Sequence, residues 1–242
     1  MVVRGMKKNI RLTVLLGLLV VSGVGRLIWE FPRQPEYHGW WESQILKFEA
    51  SDEMNPPPED AILLVGSSSV GQWETAKQDL GPFTVFRRGF GGSCLSDVIH
   101  YANRIILPYR PSVVLVYAGD NDVAAQKTND EIVEDFKALV ETIQEELPDT
   151  RVGFLSIKPS LARWKLRKKI RNVNGAILSY ARTTPSVDYI DISKPMLNEK
   201  GLPRNEIFNP DGLHLNRKGY QLWSVAVKSY LHRVQPLQAT SL

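Results

Sequence analysis

Five short apolar runs, with helical patterns between them, constrain the fold of this chain more than any other feature. Most of them are rich in β-branched or aromatic residues and are apolar almost throughout, which is typical of strands buried on both faces. They lie at 61–65 (AILLV), 83–86 (FTVF), 113–117 (VVLVY), 152–157 (VGFLSI) and 187–192 (VDYIDI). Strands that alternate with helices predict an α/β fold, in which helices cover both faces of a five-stranded parallel sheet.

The helices are predicted from the spacing of apolar residues. Residues 129–146 repeat them with a period of about 3.6 residues, carry Asp130 and Glu131 in the first turn and are followed by Pro148. The same reasoning predicts helices at 40–48, 95–104, 161–180 and 218–231. In such a fold a ligand lies at the carboxyl ends of the strands, so the residues after each run are candidates for a functional site.

Length and charge limit the number of domains and the class of partner. The chain has 242 residues, 43% of them apolar, which suits one well-packed domain, predicted at 61–235. Its net charge of +4 depends on five basic residues within positions 1–26, and removing those five charges leaves −1. The basic character therefore belongs to the N-terminus and gives no reason to expect nucleic-acid binding.

The first 29 residues resemble a targeting segment. Four basic residues precede an uncharged stretch at 12–25 (LTVLLGLLVVSGVG). This pattern predicts a signal peptide or an N-terminal membrane anchor at 1–29, with a buried helix as the alternative, and a proline-punctuated linker and lead-in at 30–60. We expect an exported protein, either periplasmic or extracellular, or anchored to a membrane and facing outward. Cys94 is the only cysteine, so no disulfide forms within the chain, which does not prevent export.

Small, polar and titratable residues follow the apolar runs. Three serines at 67–69 follow the first run, RRGFGGS (87–93) the second and AGDND (118–122) the third, while NPDGLHLN (209–216) precedes the last helix. We expect these loops to meet at one edge of the sheet. Together they contain what acyl transfer needs, namely a hydroxyl nucleophile, a base with an orienting acid, and donors for an oxyanion.

The candidate nucleophile and base come from two of these loops. A serine at a strand-to-helix turn exposes its hydroxyl where negative charge is favoured, although such a serine also suits a helix N-cap. His214 is the candidate base, because Asp211 lies three residues earlier across a glycine turn and can hold Nδ1 while Nε2 faces the serine. The remaining histidines, His38, His100 and His232, are expected to be structural or solvated.

The other two loops offer donors for an oxyanion. The side-chain amide of Asn121 can donate a hydrogen bond, although the same residue suits an Asx turn. Gly91 and Gly92 allow the backbone to approach a substrate closely, so an N–H group there is a second candidate donor.

Taken in chain order, Gly-x-Ser, Gly-Gly, Gly-x-Asn-Asp and Asp-x-x-His resemble the motifs of the SGNH (GDSL-like) hydrolase superfamily, over roughly residues 60–232. The resemblance implies a serine esterase on a flavodoxin-like, three-layer αβα fold, with Ser68 as nucleophile and Asp211 and His214 completing a triad. It implies an oxyanion hole formed by Ser68, Gly92 and Asn121, and it implies no metal or organic cofactor. The substrate is expected to be a small-molecule ester, and three classes stay open: a short acyl or acetyl group on a sugar, a lysophospholipid and a thioester. The expected envelope location favours the first two, an O-acylated glycan or a lipid of the lysophospholipid type.

Two departures separate this chain from the family pattern. Ser67 stands where the family has the aspartate of Gly-Asp-Ser, and 87–88 (RR) stand where an asparagine often precedes the glycine loop. Neither departure removes a group that acyl transfer requires. Both make the transfer of a substrate from better-known members unsafe.

Several other functions use the same residues. Asp120 and Asp122 could bind a cation in a metal-dependent phosphoesterase, and Cys94 could be a nucleophile, although a small apolar role suits it better. An α/β-hydrolase would require glycine at position 70, where this chain has Val70. A non-catalytic glycan- or lipid-binding module of the cell envelope on the same fold is the alternative from a different class.

A run of basic residues, RWKLRKKIR (163–171), falls within the helix predicted at 161–180. One interpretation is a solvated helix face. The other is a patch at the rim of the active site that meets anionic lipid headgroups or acidic polysaccharide.

Overall fold

The computed structural model describes residues 38–235 of the chain. A parallel sheet of five strands, in the order β2-β1-β3-β4-β5, forms its centre. The strands are β1 (Ile62–Gly66), β2 (Val85–Gly89), β3 (Val113–Tyr117), β4 (Arg151–Leu155) and β5 (Val187–Ile190). The predicted α/β fold class is confirmed. The segment predicted at 1–29 and the beginning of the lead-in lie outside the described residues.

Helices cover both faces of this sheet and create two apolar cores. They are α1 (Glu42–Met54), α2 (Ser68–Gly71), α3 (Ala76–Asp79), α4 (Leu95–Ile105), α5 (Asp120–Ala124), α6 (Asn129–Glu146), α7 (Arg167–Thr183) and α8 (Arg217–Val234). Buried side chains of α1, α4, α6 and α7 form one core, and those of α2, α3 and α8 form the other. The result is the three-layer αβα arrangement expected for strands that are apolar on both faces.

The strand order places a crevice beside β1. The chain passes from β1 to β2 on one side and then crosses to β3 on the other, so the order reverses between β1 and β3. Loops that leave two neighbouring strands in opposite directions open a binding site at their carboxyl ends. The loops after β1 and β3 contain the three serines and Asn121.

Strand β2 continues further than the apolar run predicted. The prediction ended at residue 86, whereas β2 includes Arg87 and Arg88 and pairs with β1 as far as Gly89. Both charged side chains find partners: Arg87 donates to the carbonyls of α2, while Arg88 lies against three aromatic rings and pairs with Asp52. These partners come from distant segments, so a pattern of local hydropathy could not reveal them.

Helix α7 begins later than predicted. Its first residue is Arg167, preceded by a 3₁₀ turn at Trp164–Leu166 and by an irregular loop at 158–163. The loop is held by contacts with distant segments, since the Ala162 N–H donates to the Gly212 carbonyl and Arg163 pairs with Asp120. The prediction that the helix begins at residue 161 is wrong, and Arg163 lies in this loop rather than on a helix face.

Helix α1 is held to the domain by apolar packing of Ile45 and Phe48 and by ion pairs. Ile45 is its one fully buried side chain. Arg104 on α4 pairs with Glu42 and Glu49 of α1, and Arg88 on β2 pairs with Asp52. Among residues 38–235, no helix combines the length and the apolar character needed to cross a membrane.

Candidate active site

The turn after β1 distinguishes the three serines. Gly66 has φ +139°, and a Cβ there would lie 2.0 Å from the carbonyl oxygen of Tyr117 in the neighbouring strand, so only glycine fits. Ser68 begins α2 and is partly exposed, whereas Ser67 and Ser69 are buried. Burial therefore leaves Ser68 as the member of the trio that faces the crevice.

Ser68 meets His214, although 146 positions separate the two residues in sequence. The Ser68 Oγ lies 3.0 Å from His214 Nε2, and His214 Nδ1 lies 2.6 Å from Asp211 Oδ2. These are hydrogen-bond distances, and they give the imidazole one partner on each ring nitrogen. The structure thus brings the three predicted residues together in the order serine, histidine, aspartate.

The loop that carries Asp211 and His214 is shaped by Asp211 itself. Its Oδ1 accepts hydrogen bonds of 2.9 Å from the N–H groups of Leu213 and His214. Gly212, which lies between Asp211 and Leu213, has φ +66°. Partial burial raises the pKa of Asp211, but the hydrogen bonds from His214 and from the two backbone N–H groups outweigh it and hold that pKa below its ordinary value. The carboxylate is therefore ionised where it faces the imidazole.

The glycine loop after β2 lies against the turn that carries Ser68. A Cβ on Gly91 would lie 3.8 Å from the Ser68 Cβ, and Gly92 adopts φ +82°, which favours glycine. The indole of Trp41, just before α1, donates a 2.7 Å hydrogen bond to the Gly91 carbonyl. Residues N-terminal to the sheet thus reach the glycine loop, a contact that the sequence did not predict.

Asn121 is held at both ends of its amide. Its Nδ2 donates to the Ser93 carbonyl at 2.9 Å, and its Oδ1 accepts from Arg163 Nη2 at 3.0 Å. Because Nδ2 carries two hydrogens, the bond to Ser93 leaves one for a further acceptor. Asn121 lies in the first turn of α5, directly after β3, as the loop pattern predicted.

A buried ionic cluster lies beneath these residues, and sequence reasoning missed it. Lys158 Nζ is 2.8 Å from Asp120 Oδ2, and Arg163 Nη1 is 2.7 Å from Asp120 Oδ1. Burial raises the pKa of Asp120, but Lys158 and Arg163 outweigh it and lower that pKa to about 2. Lys158 also donates to Tyr117 Oη at 3.0 Å and to Ser69 Oγ at 3.3 Å.

The two aspartates of the candidate metal site have separate partners. Asp120 faces Lys158 and Arg163, whereas Asp122 accepts from the Leu95 N–H and has its pKa raised by burial. Within residues 38–235, no three His, Cys, Asp or Glu side chains group closely enough to hold a metal ion.

The other candidate residues lie in structural settings. Burial raises the pKa of the Cys94 thiol, and the nearby Asp122 adds to that rise, so the reactive thiolate is disfavoured. His100 packs edge-on against Tyr101, and His232 packs against Phe83.

A comparison with known families decides the assignment. The profile of the GDSL-like Lipase/Acylhydrolase family matches residues 64–222, from β1 through most of the sheet to α8. The chain belongs to the GDSL-like lipase/acylhydrolase family. The resemblance inferred from the four motifs is therefore confirmed. Membership in the GDSL-like family identifies an ester-hydrolysing enzyme rather than a binding module.

A curated relative and two solved structures are similar to this GDSL-like protein. Platelet-activating factor acetylhydrolase IB subunit alpha1 from Bos taurus is 27% identical over 202 residues, which span 81% of this chain and 84% of that protein. A GDSL-like lipase from Bacteroides thetaiotaomicron has a TM-score of 0.68 and 18% identity, over 79% of this chain and 98% of that chain. A family 3 carbohydrate esterase from Clostridium thermocellum has a TM-score of 0.60 and 15% identity, over 73% and 96% of the respective chains. The two structures support the fold.

Proposed function

We propose that this GDSL-like enzyme is a serine esterase that works through an acyl-enzyme intermediate on Ser68. The observation that carries the proposal is the pair of contacts at His214, 3.0 Å from Ser68 Oγ on one side and 2.6 Å from Asp211 on the other. Nucleophile and base in hydrogen-bond contact, with a carboxylate orienting the base, are the arrangement that activates a serine.

In the first half of the proposed reaction, Ser68 Oγ attacks the ester carbonyl carbon and transfers its proton to His214 Nε2. Asp211 holds the imidazole with Nδ1 protonated and stabilises the imidazolium that forms. Collapse of the tetrahedral intermediate breaks the bond to the alcohol, which takes the proton from His214 Nε2. The acyl group remains on Ser68.

The oxyanion of that intermediate forms beside α2. The backbone N–H of Ser68, the N–H of Gly92 and the second Nδ2 hydrogen of Asn121 are the proposed donors, because they border the crevice from three different loops. Losing one such donor costs about 3–4 kcal/mol of barrier. Asn121→Ala is therefore expected to lower kcat by roughly 10²–10³-fold.

In the second half, water attacks the acyl carbonyl while His214 Nε2 accepts its proton. The tetrahedral intermediate then collapses, Ser68 regains its proton from His214, and the carboxylic acid leaves. Every proton in both halves passes through His214 Nε2, so the chain's own residues supply the chemistry of hydrolysis.

The proposed substrate is an acyl ester carried by a lipid, of the lysophospholipid type, or by an O-acylated glycan. The relatives named as a platelet-activating factor acetylhydrolase and a carbohydrate esterase support these two classes. The targeting pattern at 1–29 supports an exported enzyme, with membrane association through that segment, and both substrate classes occur in a cell envelope.

A fluorophosphonate probe tests the assignment of the nucleophile. We expect the wild-type protein to be labelled and to hydrolyse p-nitrophenyl acetate, and Ser68→Ala to abolish both. Ser67→Ala and Ser69→Ala are matched controls, because they remove the same atom within one residue of Ser68 and should remain labelled. Labelling that survives in Ser68→Ala would show that Ser68 is not the nucleophile.

The substrate class requires a separate measurement. Initial rates on acetylated oligosaccharides, on lysophospholipids and on p-nitrophenyl esters of increasing acyl length would rank the two classes. A wild-type enzyme that cleaves p-nitrophenyl esters but neither natural class would refute the substrate proposal and leave the esterase assignment intact.

A further inference from the structure

Asn121 can serve as an oxyanion donor only if its amide has one defined orientation. The oxygen and nitrogen of a carboxamide have nearly the same shape, but one accepts and the other donates. If the amide turned over, Oδ1 would face the oxyanion and repel it. The groups that hydrogen-bond to the two ends of the amide from outside the crevice therefore determine whether the second Nδ2 hydrogen faces the substrate.

Arg163 is the group at the oxygen end of the amide. Its Nη2 donates to Asn121 Oδ1 at 3.0 Å, on the opposite end of the amide from the 2.9 Å bond between Nδ2 and the Ser93 carbonyl. A guanidinium has no acceptor, so it tolerates the oxygen of the amide and excludes its nitrogen. Arg163 thus favours the orientation in which Asn121 donates.

Arg163 is itself held in place. Its Nη1 pairs with Asp120, whose other oxygen pairs with Lys158, and the Lys158, Asp120 and Arg163 side chains are only 2%, 4% and 13% exposed. Asp120 precedes Asn121 directly, so one guanidinium bridges two adjacent residues of α5. A planar fork with several fixed donors can make such a bridge, whereas a lysine ammonium acts as a point charge.

The loop that carries Arg163 also contacts the loop of the proposed base. The Ala162 N–H donates to the Gly212 carbonyl at 3.0 Å, and Gly212 lies between Asp211 and His214. The 158–163 loop therefore touches the oxyanion side and the base side of the crevice through neighbouring residues.

We propose that Arg163 is a positioning residue of the oxyanion hole, which acts by fixing the amide of Asn121 with Nδ2 toward the substrate. This role rests on the proposed esterase function. Arg163 is the first residue of the basic run at 163–171, and the proposed role places it in the active site rather than in a surface patch.

The test compares Arg163→Lys and Arg163→Met with wild type, using kcat and KM on p-nitrophenyl acetate. Arg163→Lys keeps a positive charge beside Asp120 and should fold, but one ammonium cannot bridge both partners. A small misplacement of a reacting or stabilising group can cost about 10²-fold, so we expect kcat to fall by roughly 10–100-fold in both variants, with KM within about threefold. Arg171→Met, on the exposed side of α7, is the matched control and should leave kcat unchanged.

A double-mutant cycle separates positioning from a general structural effect. If Arg163 acts through Asn121, then Arg163→Lys should change kcat by less than about twofold in the Asn121→Ala background, because contacting residues are non-additive. Full multiplicative losses in the double variant, or a single Arg163→Lys variant with wild-type kcat, would overturn the inference. An inactive, unlabelled wild type would instead refute the esterase proposal itself.

Discussion

Replacing Asp120 by asparagine would leave Lys158 and Arg163 without their shared counter-charge. The Lys158 side chain is 2% exposed and that of Asp120 4%, so water cannot solvate the ammonium left behind. Removing one partner of a buried ion pair costs about 3–5 kcal/mol, because the remaining charge is neither paired nor hydrated. We expect Asp120→Asn to lower the free energy of unfolding by that amount.

The acid dependence of this loss follows from the pKa of Asp120, which the cluster lowers from 3.8 to about 2. A pKa that is lower in the folded than in the unfolded state stabilises the protein above the unfolded pKa, by about 1.4 kcal/mol for each tenfold difference in proton affinity between the two states. This contribution is lost as pH falls from about 4 toward 2. The difference in unfolding free energy between wild type and Asp120→Asn should therefore be about 1 kcal/mol smaller at pH 3 than at pH 5.

Urea denaturation followed by circular dichroism measures both quantities. Glu134→Gln is the control, because Glu134 pairs with Lys137 where their side chains are 67% and 34% exposed. An exposed pair of this kind contributes about 0–1 kcal/mol. The reasoning is wrong if Asp120→Asn costs no more than Glu134→Gln, or if its cost does not decrease in acid.

Three further results are expected. Asp211→Asn should lower kcat by about 10⁴-fold with little loss of stability, because an amide donor would impose the wrong tautomer on His214; an unaltered kcat on p-nitrophenyl acetate would contradict this. Gly66→Ala should unfold at a clearly lower urea concentration than wild type, since the added Cβ would overlap the Tyr117 carbonyl of β3. Gly175→Ala is the control: a Cβ there would have no atom within 4 Å, so the substitution should be neutral or should stabilise the protein by about 0.5–1 kcal/mol. The Cys94 thiol should react with iodoacetamide at pH 8 more than tenfold slower in the native protein than in urea, because burial disfavours its thiolate.

Most of the fold could be predicted because strands that are buried on both faces appear in the sequence as continuous apolar runs. Each of the five apolar runs overlaps an observed strand, and helix α6 has the predicted bounds, 129–146, since its Thr128 cap, its apolar period and the following Pro148 all agree. The predicted end of β2 was wrong, because the charged residue Arg87 interrupts the apolar pattern although it lies in the strand. The predicted start of α7 was also wrong, because the sequence around Arg163 has a helical pattern although it forms a loop. In both places the deciding partner lies far away in sequence.

The candidate site could be predicted from the sequence for a different reason. Each of its loops directly follows a strand or precedes a helix, so the topology alone brings Ser68 and Asn121 to one edge of the sheet. The roles of Arg163 and Lys158 were hidden, because nothing near them in sequence distinguishes a side chain that enters the crevice from one in water. Their pairing with Asp120 becomes visible only when β4 is placed beside β3.

The fastening of α1 makes the glycine loop sensitive to ionic strength. Two arginines hold that helix through three carboxylates, and the pairs with Arg104 are partly exposed, so added salt screens them while it leaves the apolar sheet core untouched. Segments with few buried apolar contacts are the first to open in native-state hydrogen exchange. Because Trp41 adjoins α1 and bonds to Gly91, each opening of that helix would release one wall of the crevice. We expect added salt to make such openings more frequent, by weakening the partly exposed pairs with Arg104.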